Sequence, residues 1–136
     1  METKFNSQIC TSRSQSERLL ELGLKKETAD MYWFNESPYD SIDDWKCYTY
    51  GSDGSEDEIP AWSLARLVEM MPKVIKLCYP NLHFTMLHDS VHYCDFDYNE
   101  EFEQVFSAKN NIYENIIDCY EWLIKEWYFD KECLED

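Results

Sequence analysis

Glycine is scarce in this chain, three residues of 136, and the shortage removes a class of function at once. Loops that cradle phosphates are built from closely spaced glycines whose backbone N–H groups approach the ligand, and no such run exists here. No Ser sits in a GxSxG elbow and HExxH does not occur, so neither the hydrolase elbow nor the zinc-peptidase helix is available. There is also no CxxC pair. The six cysteines, Cys10, Cys47, Cys78, Cys94, Cys119 and Cys133, are widely and irregularly spaced. In a chain whose first residues carry no signal-peptide pattern, an even count does not make a disulfide framework, and mostly reduced thiols are predicted. Cys119, within the most helical stretch, is read as a small buried hydrophobe.

Long apolar runs are missing as well. No window holds the roughly 18 residues that a membrane-spanning helix needs, and Met1-Glu-Thr-Lys-Phe opens with polar residues in place of a basic region and an apolar one. The expectation is a cytoplasmic protein with no membrane partner. Cations are few: 12 basic residues face 28 acidic ones, for a formal charge of -16. Phosphate contacts require clustered Lys and Arg, so direct binding to nucleic acid is excluded as an expectation. The acids gather in Asp53 to Glu58, in Asp95 to Glu103 and from Asp130 onward. They serve either as a solubilising surface or as a surface for a basic partner.

What is present is core material. A hydrophobic fraction of 44%, with five Trp and ten Tyr, is far above that of a disordered chain. The length suits one domain, large enough to bury roughly two thirds of its unfolded surface without metals or disulfides. Residues 1–10 show no periodicity and are expected to form a loose arm, and Gly51 to Glu58, with no apolar residue, an exposed acidic loop.

The strongest local signal is Asn111 to Trp127. Ile112, Ile116, Tyr120, Leu123 and Trp127 recur at steps of three and four, with Ile117 and Ile124 broadening the stripe, while Glu114, Asp118, Glu121 and Lys125 lie opposite. Asn111 is placed to cap this helix, with Glu114 completing a capping box and Glu121 in reach of Lys125. Upstream, Ser14 and Glu17 predict a helix from Gln15 to Leu22 or slightly longer, stopped by Gly23 in a left-handed conformation. Lys25 to Thr28 adds a short turn, and Ala29 to Phe34 and Trp45 to Tyr50 read as strands that can pair as a hairpin. A second helix is expected from Ala61 to Met71, opened by Pro60 and closed by Pro72, with Ser63 as an alternative cap that would shorten it. Lys73 to Cys78 either extends that helix or forms a separate segment. Leu82 to Leu87 and Ser90 to Phe96 then form a second candidate hairpin.

Arg18-Leu19-Leu20-Glu21-Leu22 and Arg66-Leu67-Val68-Glu69-Met70 match in type at every position, so a helix-strand-strand unit used twice is one reading of the order. Together these elements predict an α+β domain over residues 1–136, with one mainly antiparallel sheet of about four strands covered by about three helices.

Candidate chemistry is concentrated in one region. His83, His88, His92, Cys94, Asp95 and Asp97 are metal-ligand residue types within a short span, and strand alternation places His92 and Cys94 on one face, with Asp95 and Asp97 on the other. His83, His92 and Cys94 are the candidate metal ligands, set against an ordinary role as hydrogen-bonding groups on a sheet. Cys94 and His92 have no evident third group to make them a catalytic pair. The acidic run Asp95 to Glu101 lacks the Gly and the terminal Glu of a calcium loop. No cofactor is expected. The five Trp are read as core, unless several prove exposed together.

Thr11 to Trp33 (TSRSQSERLLELGLKKETADMYW), Ile59 to Met71 (IPAWSLARLVEMM) and Asn111 to Trp127 resemble a group of small proteins carried on bacterial prophages and other mobile elements. QSERLLELGL followed by ETADMYW, and the IPAWSL segment, are the most specific pieces. That group brings no activity or site residues; what the resemblance implies is an accessory protein of a mobile element. Combined with the acidic, aromatic composition, the leading expectation is a non-enzymatic factor that binds a protein partner. The alternatives are a small metal- or ligand-binding enzyme domain using the His and Cys residues between His83 and Cys94, and an acidic inhibitor or nucleic-acid mimic.

Overall fold

A computed structural model describes residues 8–36, 44–49, 58–76, 81–87, 90–94, 104–106 and 111–135. Helix α1 (Arg13–Glu21) begins at Ser12, whose hydroxyl accepts from the Gln15 N–H while the Gln15 side chain accepts from the Ser12 N–H. The capping box is therefore two residues earlier than Ser14 and Glu17 suggested. The Gln15 amide is oriented for this because its Oε1 also accepts from Gln8 Nε2 while its Nε2 donates to Glu114. At the far end Gly23 has φ 102, and the Leu24 N–H bonds Leu19 O while the Gly23 N–H bonds Leu20 O. This is the paired bonding of a left-handed helix stop, and glycine is used there because no Cβ meets the following carbonyl.

A 3-10 turn (Lys26–Thr28) leads into strand β1 (Met31–Asn35), which pairs antiparallel with β2 (Trp45–Thr49) as the hairpin pattern predicted. The other edge of β1 is taken by β3 (Glu58–Ala61), giving a three-stranded sheet ordered β2-β1-β3. Glu58, Pro60 and Ala61 thus belong to a strand, not to the acidic loop or to the second helix. Pro60 has no N–H to give, and an edge strand is where a sheet tolerates that. Helix α2 starts only at Leu64 (Leu64–Met70), with Ser63 as its cap; Ser63 is itself held by the Asp30 carboxylate.

After α2 come β4 (Val74–Ile75), β5 (Leu82–Leu87), β6 (Ser90–Cys94) and β7 (Gln104–Phe106), an antiparallel meander in that order. The fold is α+β, but its strands form two sheets where one was expected. The reason is the capture of residues 58–61 by β1, which completes the first sheet before α2, and the addition of the short β4 and β7 at the edges of the second hairpin. The two helix-led units are not topological copies either, since the first hairpin is flanked on one side only and the second on both.

Helix α3 (Ile112–Lys125) is capped by Asn111, which accepts from the Tyr113 and Glu114 N–H groups. Its Ile116, Ile117, Cys119, Tyr120 and Leu123 are fully buried with Leu19, Leu67, Val91 and Tyr93 in the main core. Each such aliphatic residue contributes about 1.5–3 kcal/mol by leaving water. The buried Tyr and Trp polar ends of this core are satisfied: Tyr120 OH donates to Leu67 O, Tyr93 OH to Pro72 O, and Trp62 Nε1 to Thr28 Oγ1. The acidic residues opposite the apolar stripe of α3 meet α1. Arg18 lies 2.7 Å from Asp118, 2.9 Å from Glu121 and 3.5 Å from Glu114, so one guanidinium gathers three carboxylates spaced along successive turns.

The end of the expected loose arm is fastened as well. Gln8 donates to Cys10 O and to Gln15, and Cys10 is buried with Met31 and Ala61 in a smaller core under the three-stranded sheet. Residues 1–7 and 51–57 lie outside the described residues.

A candidate interaction site at the end of α3

The helical period that made Trp127 part of the buried stripe stops before it. Helix α3 ends at Lys125, the Trp127 N–H bonds Ile124 O at 3.2 Å, and the Tyr128 N–H bonds Leu123 O at 2.9 Å. This is the same left-handed stop that Gly23 makes after α1, but the residue in the left-handed position is a tryptophan with φ 65. Such a conformation brings Cβ against the next carbonyl, and a bulky side chain rarely adopts it. The consequence is geometric: the chain reverses, and the indole is thrown outward, 78% exposed.

Its neighbours hold it there. Tyr128 packs on Trp122 with ring centroids 5.5 Å apart, Trp122 on Tyr93 at 6.0 Å, and Tyr93 on Phe84 at 5.6 Å, a row of rings from β5 through α3 to the turn. Phe129 is buried against Tyr120 at 4.9 Å. Beyond it Asp130 caps a 3-10 turn (Lys131–Cys133), and the chain is tied to the end of α1 by Lys25 N–H to Cys133 O and Glu135 N–H to Gly23 O. Trp127 is therefore an apolar group fixed in place by ordered backbone on both sides. Lys131 Nζ sits 5.5 Å from the ring centroid, and Glu126, Asp130, Glu132 and Glu135, near it in sequence, are exposed.

The other tryptophans have structural roles. Trp62 is fully buried, Trp122 lies in the ring row, Trp33 donates to Thr11 O, and Trp45 carries the Arg13 guanidinium over its ring. Among the described residues the large hydrophobics that are exposed are Ile9, Val74, Met86 and Trp127, so a cluster of exposed tryptophans is not what marks this surface.

The candidate metal ligands are placed by the β5-β6 register. His83 stands opposite Cys94 and Thr85 opposite His92, so His83, His92 and Cys94 share the face of the sheet turned away from the main core. Alternation predicted the His92 and Cys94 half of that; the cross-strand pairing adds His83. Cys94 Sγ contacts Thr85 Oγ1 at 3.6 Å and His92 Nε2 contacts Ser90 Oγ at 2.6 Å, and among the described residues no group of three or more His, Cys, Asp or Glu is arranged to hold a metal ion. His88, Asp95 and Asp97, with the rest of the acidic run to Glu103, lie outside the described residues. No helix among the described residues is long and apolar enough to cross a membrane.

The fold is α+β, and its most exposed large hydrophobic side chain among the described residues is Trp127. Compared with protein-family models, with curated proteins and with solved structures, the chain gives no match.

Proposed function

We propose that this is a non-enzymatic, cytoplasmic accessory factor of a mobile element that binds a protein partner through the turn carrying Trp127. The observation behind the proposal is Trp127 itself: a large apolar side chain held out in water by a backbone conformation that disfavours it. A local cost of this kind persists only where the surrounding structure enforces it, and such sites are concentrated where proteins act. Tryptophan is also the residue most enriched at the energetic centres of interfaces, where it fills a pocket on the partner.

The charge of the surroundings supports a basic partner. Between Lys125 and Glu135 four acids outnumber two lysines, and the whole chain carries -16. The complementary surface is an apolar pocket with a basic rim, approached faster at low salt. The resemblance of Thr11 to Trp33 and Ile59 to Met71 to proteins of prophages supports the accessory role and a host protein as partner.

The test is affinity capture from host cells with the wild type, Trp127→Gly and Trp127→Ala side by side. A partner retained by the wild type and lost by both variants is expected. A partner held equally by all three removes Trp127 from the interface, and stoichiometric metal in the purified protein would favour the enzyme reading of His83, His92 and Cys94 instead.

A further inference from the structure

The chain hides a pairing that its cysteine spacing does not suggest. Cys10, in the segment before α1, and Cys47, in β2, have their sulfur atoms 2.6 Å apart, although 37 positions separate them. A disulfide bond is about 2.0 Å long, so the two sulfur atoms already stand close to bonding distance. Those elements are well anchored. Thr11, next to Cys10, gives its N–H to Trp62 O, accepts from the Trp62 N–H on its hydroxyl and accepts from Trp33 Nε1 on its carbonyl. Cys47 stands directly opposite Trp33 in the β1-β2 register, on the same face as Met31 and Ala61.

We propose that Cys10 and Cys47 form a reversible disulfide that latches the N-terminal segment to β2, the edge strand of the three-stranded sheet. The site has a reason to be latched. The core beneath this sheet is small, Cys10, Met31 and Ala61 with Trp33 and Cys47 against it, and an edge strand is hydrogen-bonded on one side alone. The remaining described cysteines make no such pair: Cys119 is buried on α3, Cys133 lies in the C-terminal turn and Cys94 on the second sheet.

The oxidant is a small-molecule disulfide such as oxidised glutathione. Cys47 is half-buried and Cys10 fully so, which makes Cys47 the more accessible of the two. Its thiolate attacks one sulfur of the small disulfide, forming a mixed disulfide and releasing one thiolate. Cys10, deprotonated, then attacks the Cys47 sulfur, forming the Cys10–Cys47 bond and releasing the second. Two electrons pass to the small disulfide, and the two protons leave with its halves as thiols. Burial pushes both protein thiols up, with the nearby Asp30 carboxylate adding to it, so the exchange accelerates as pH rises. In the reverse direction an incoming thiol reaches Cys47 and must expel Cys10, a poor leaving group for the same reason. The latch closes slowly and opens slowly.

The purified protein is incubated with oxidised glutathione at neutral and mildly alkaline pH, quenched with acid, and read by intact mass and non-reducing peptide mapping. The expected result is a mass lower by two hydrogens, one cross-linked peptide joining Cys10 to Cys47, a faster reaction at the higher pH, and a melting temperature several degrees above that of the reduced protein. Cys47→Ser, at a half-buried position, must block the cross-link while keeping the native circular dichroism spectrum; Cys10→Ala should leave a lasting glutathione adduct on Cys47. An unchanged mass, a cross-link through any other cysteine, or a glutathione adduct that persists on Cys47 in the wild type overturns the proposal.

Discussion

Replacing Trp127 by glycine removes the largest exposed side chain of the described surface and should leave the fold as stable as before. A bulky L-residue in the left-handed region costs about 1–2 kcal/mol, which glycine does not carry. Against this, glycine loses more backbone freedom on folding, about 0.5–1 kcal/mol. The exposed contact of Lys131 with the ring is lost too, about 0.5 kcal/mol. Because the indole is 78% exposed, little apolar burial goes with it. The terms nearly cancel, which leaves Trp127→Gly within about 1 kcal/mol of the wild type. Truncation of a buried tryptophan costs about 3–5 kcal/mol, so Trp62→Ala is the internal contrast. The sharper comparison is with Trp127→Ala, which removes the same ring but keeps a Cβ at φ 65. On an ordinary surface alanine is the more stable by about 0.4–1 kcal/mol; here glycine should be the more stable. Urea denaturation followed by far-ultraviolet circular dichroism measures all four proteins. Alanine more stable than glycine, or a loss of 3 kcal/mol or more in Trp127→Gly, would mean that the turn is not strained and that the ring is a packing element. Trp127 would then not mark an interface.

Three further outcomes follow from the core and its charges. Ile116→Asp places a carboxylate at a fully buried position of α3 and should cost at least the 2–5 kcal/mol typical of core truncation, much of a domain's stability; an unchanged melting temperature would make α3 peripheral. Arg18→Met leaves Glu114, Asp118 and Glu121 facing one another without their cation and should cost about 1–2 kcal/mol, a difference that shrinks as added salt screens the repulsion; a difference that does not respond to salt would refute the electrostatic account. Burial raises the titration of Tyr93, Tyr120, Cys10 and Cys119 above their ordinary values. The unfolded chain then ionises first, so the stability these groups give is complete below about pH 8.5, the ordinary cysteine value, and is lost as pH rises through and beyond about 10, the ordinary tyrosine value. Urea midpoints should be flat from pH 7 to about 8.5 and fall above it; a midpoint that rises there would contradict the burial of these side chains.

What the sequence determined by itself was whatever depends on neighbours in the chain. The Asn111 cap and the apolar period of α3, the Gly23 stop, the β1-β2 and β5-β6 hairpins and the α+β class all rest on interactions within a few residues or across a short connection, and their signals are local. Even Ser63 was visible as a cap. Its competition with Pro60 was decided at a distance, because only pairing with Met31 and Tyr32 makes Pro60 and Ala61 a strand. The tertiary structure likewise decided that Glu114, Asp118 and Glu121 serve Arg18 across 96 to 103 positions, that Cys10 meets Cys47, and that His83 joins His92 and Cys94 on one face. Trp127 marks the boundary between the two kinds of information. Its spacing says buried, since a period of 3.6 carries on for as long as it is extrapolated. The helix ends two residues earlier, because Tyr128 and Phe129 gain more by turning back onto Trp122 and Tyr120 than the helix gains from another turn, and long-range packing of that kind leaves no local trace in a sequence.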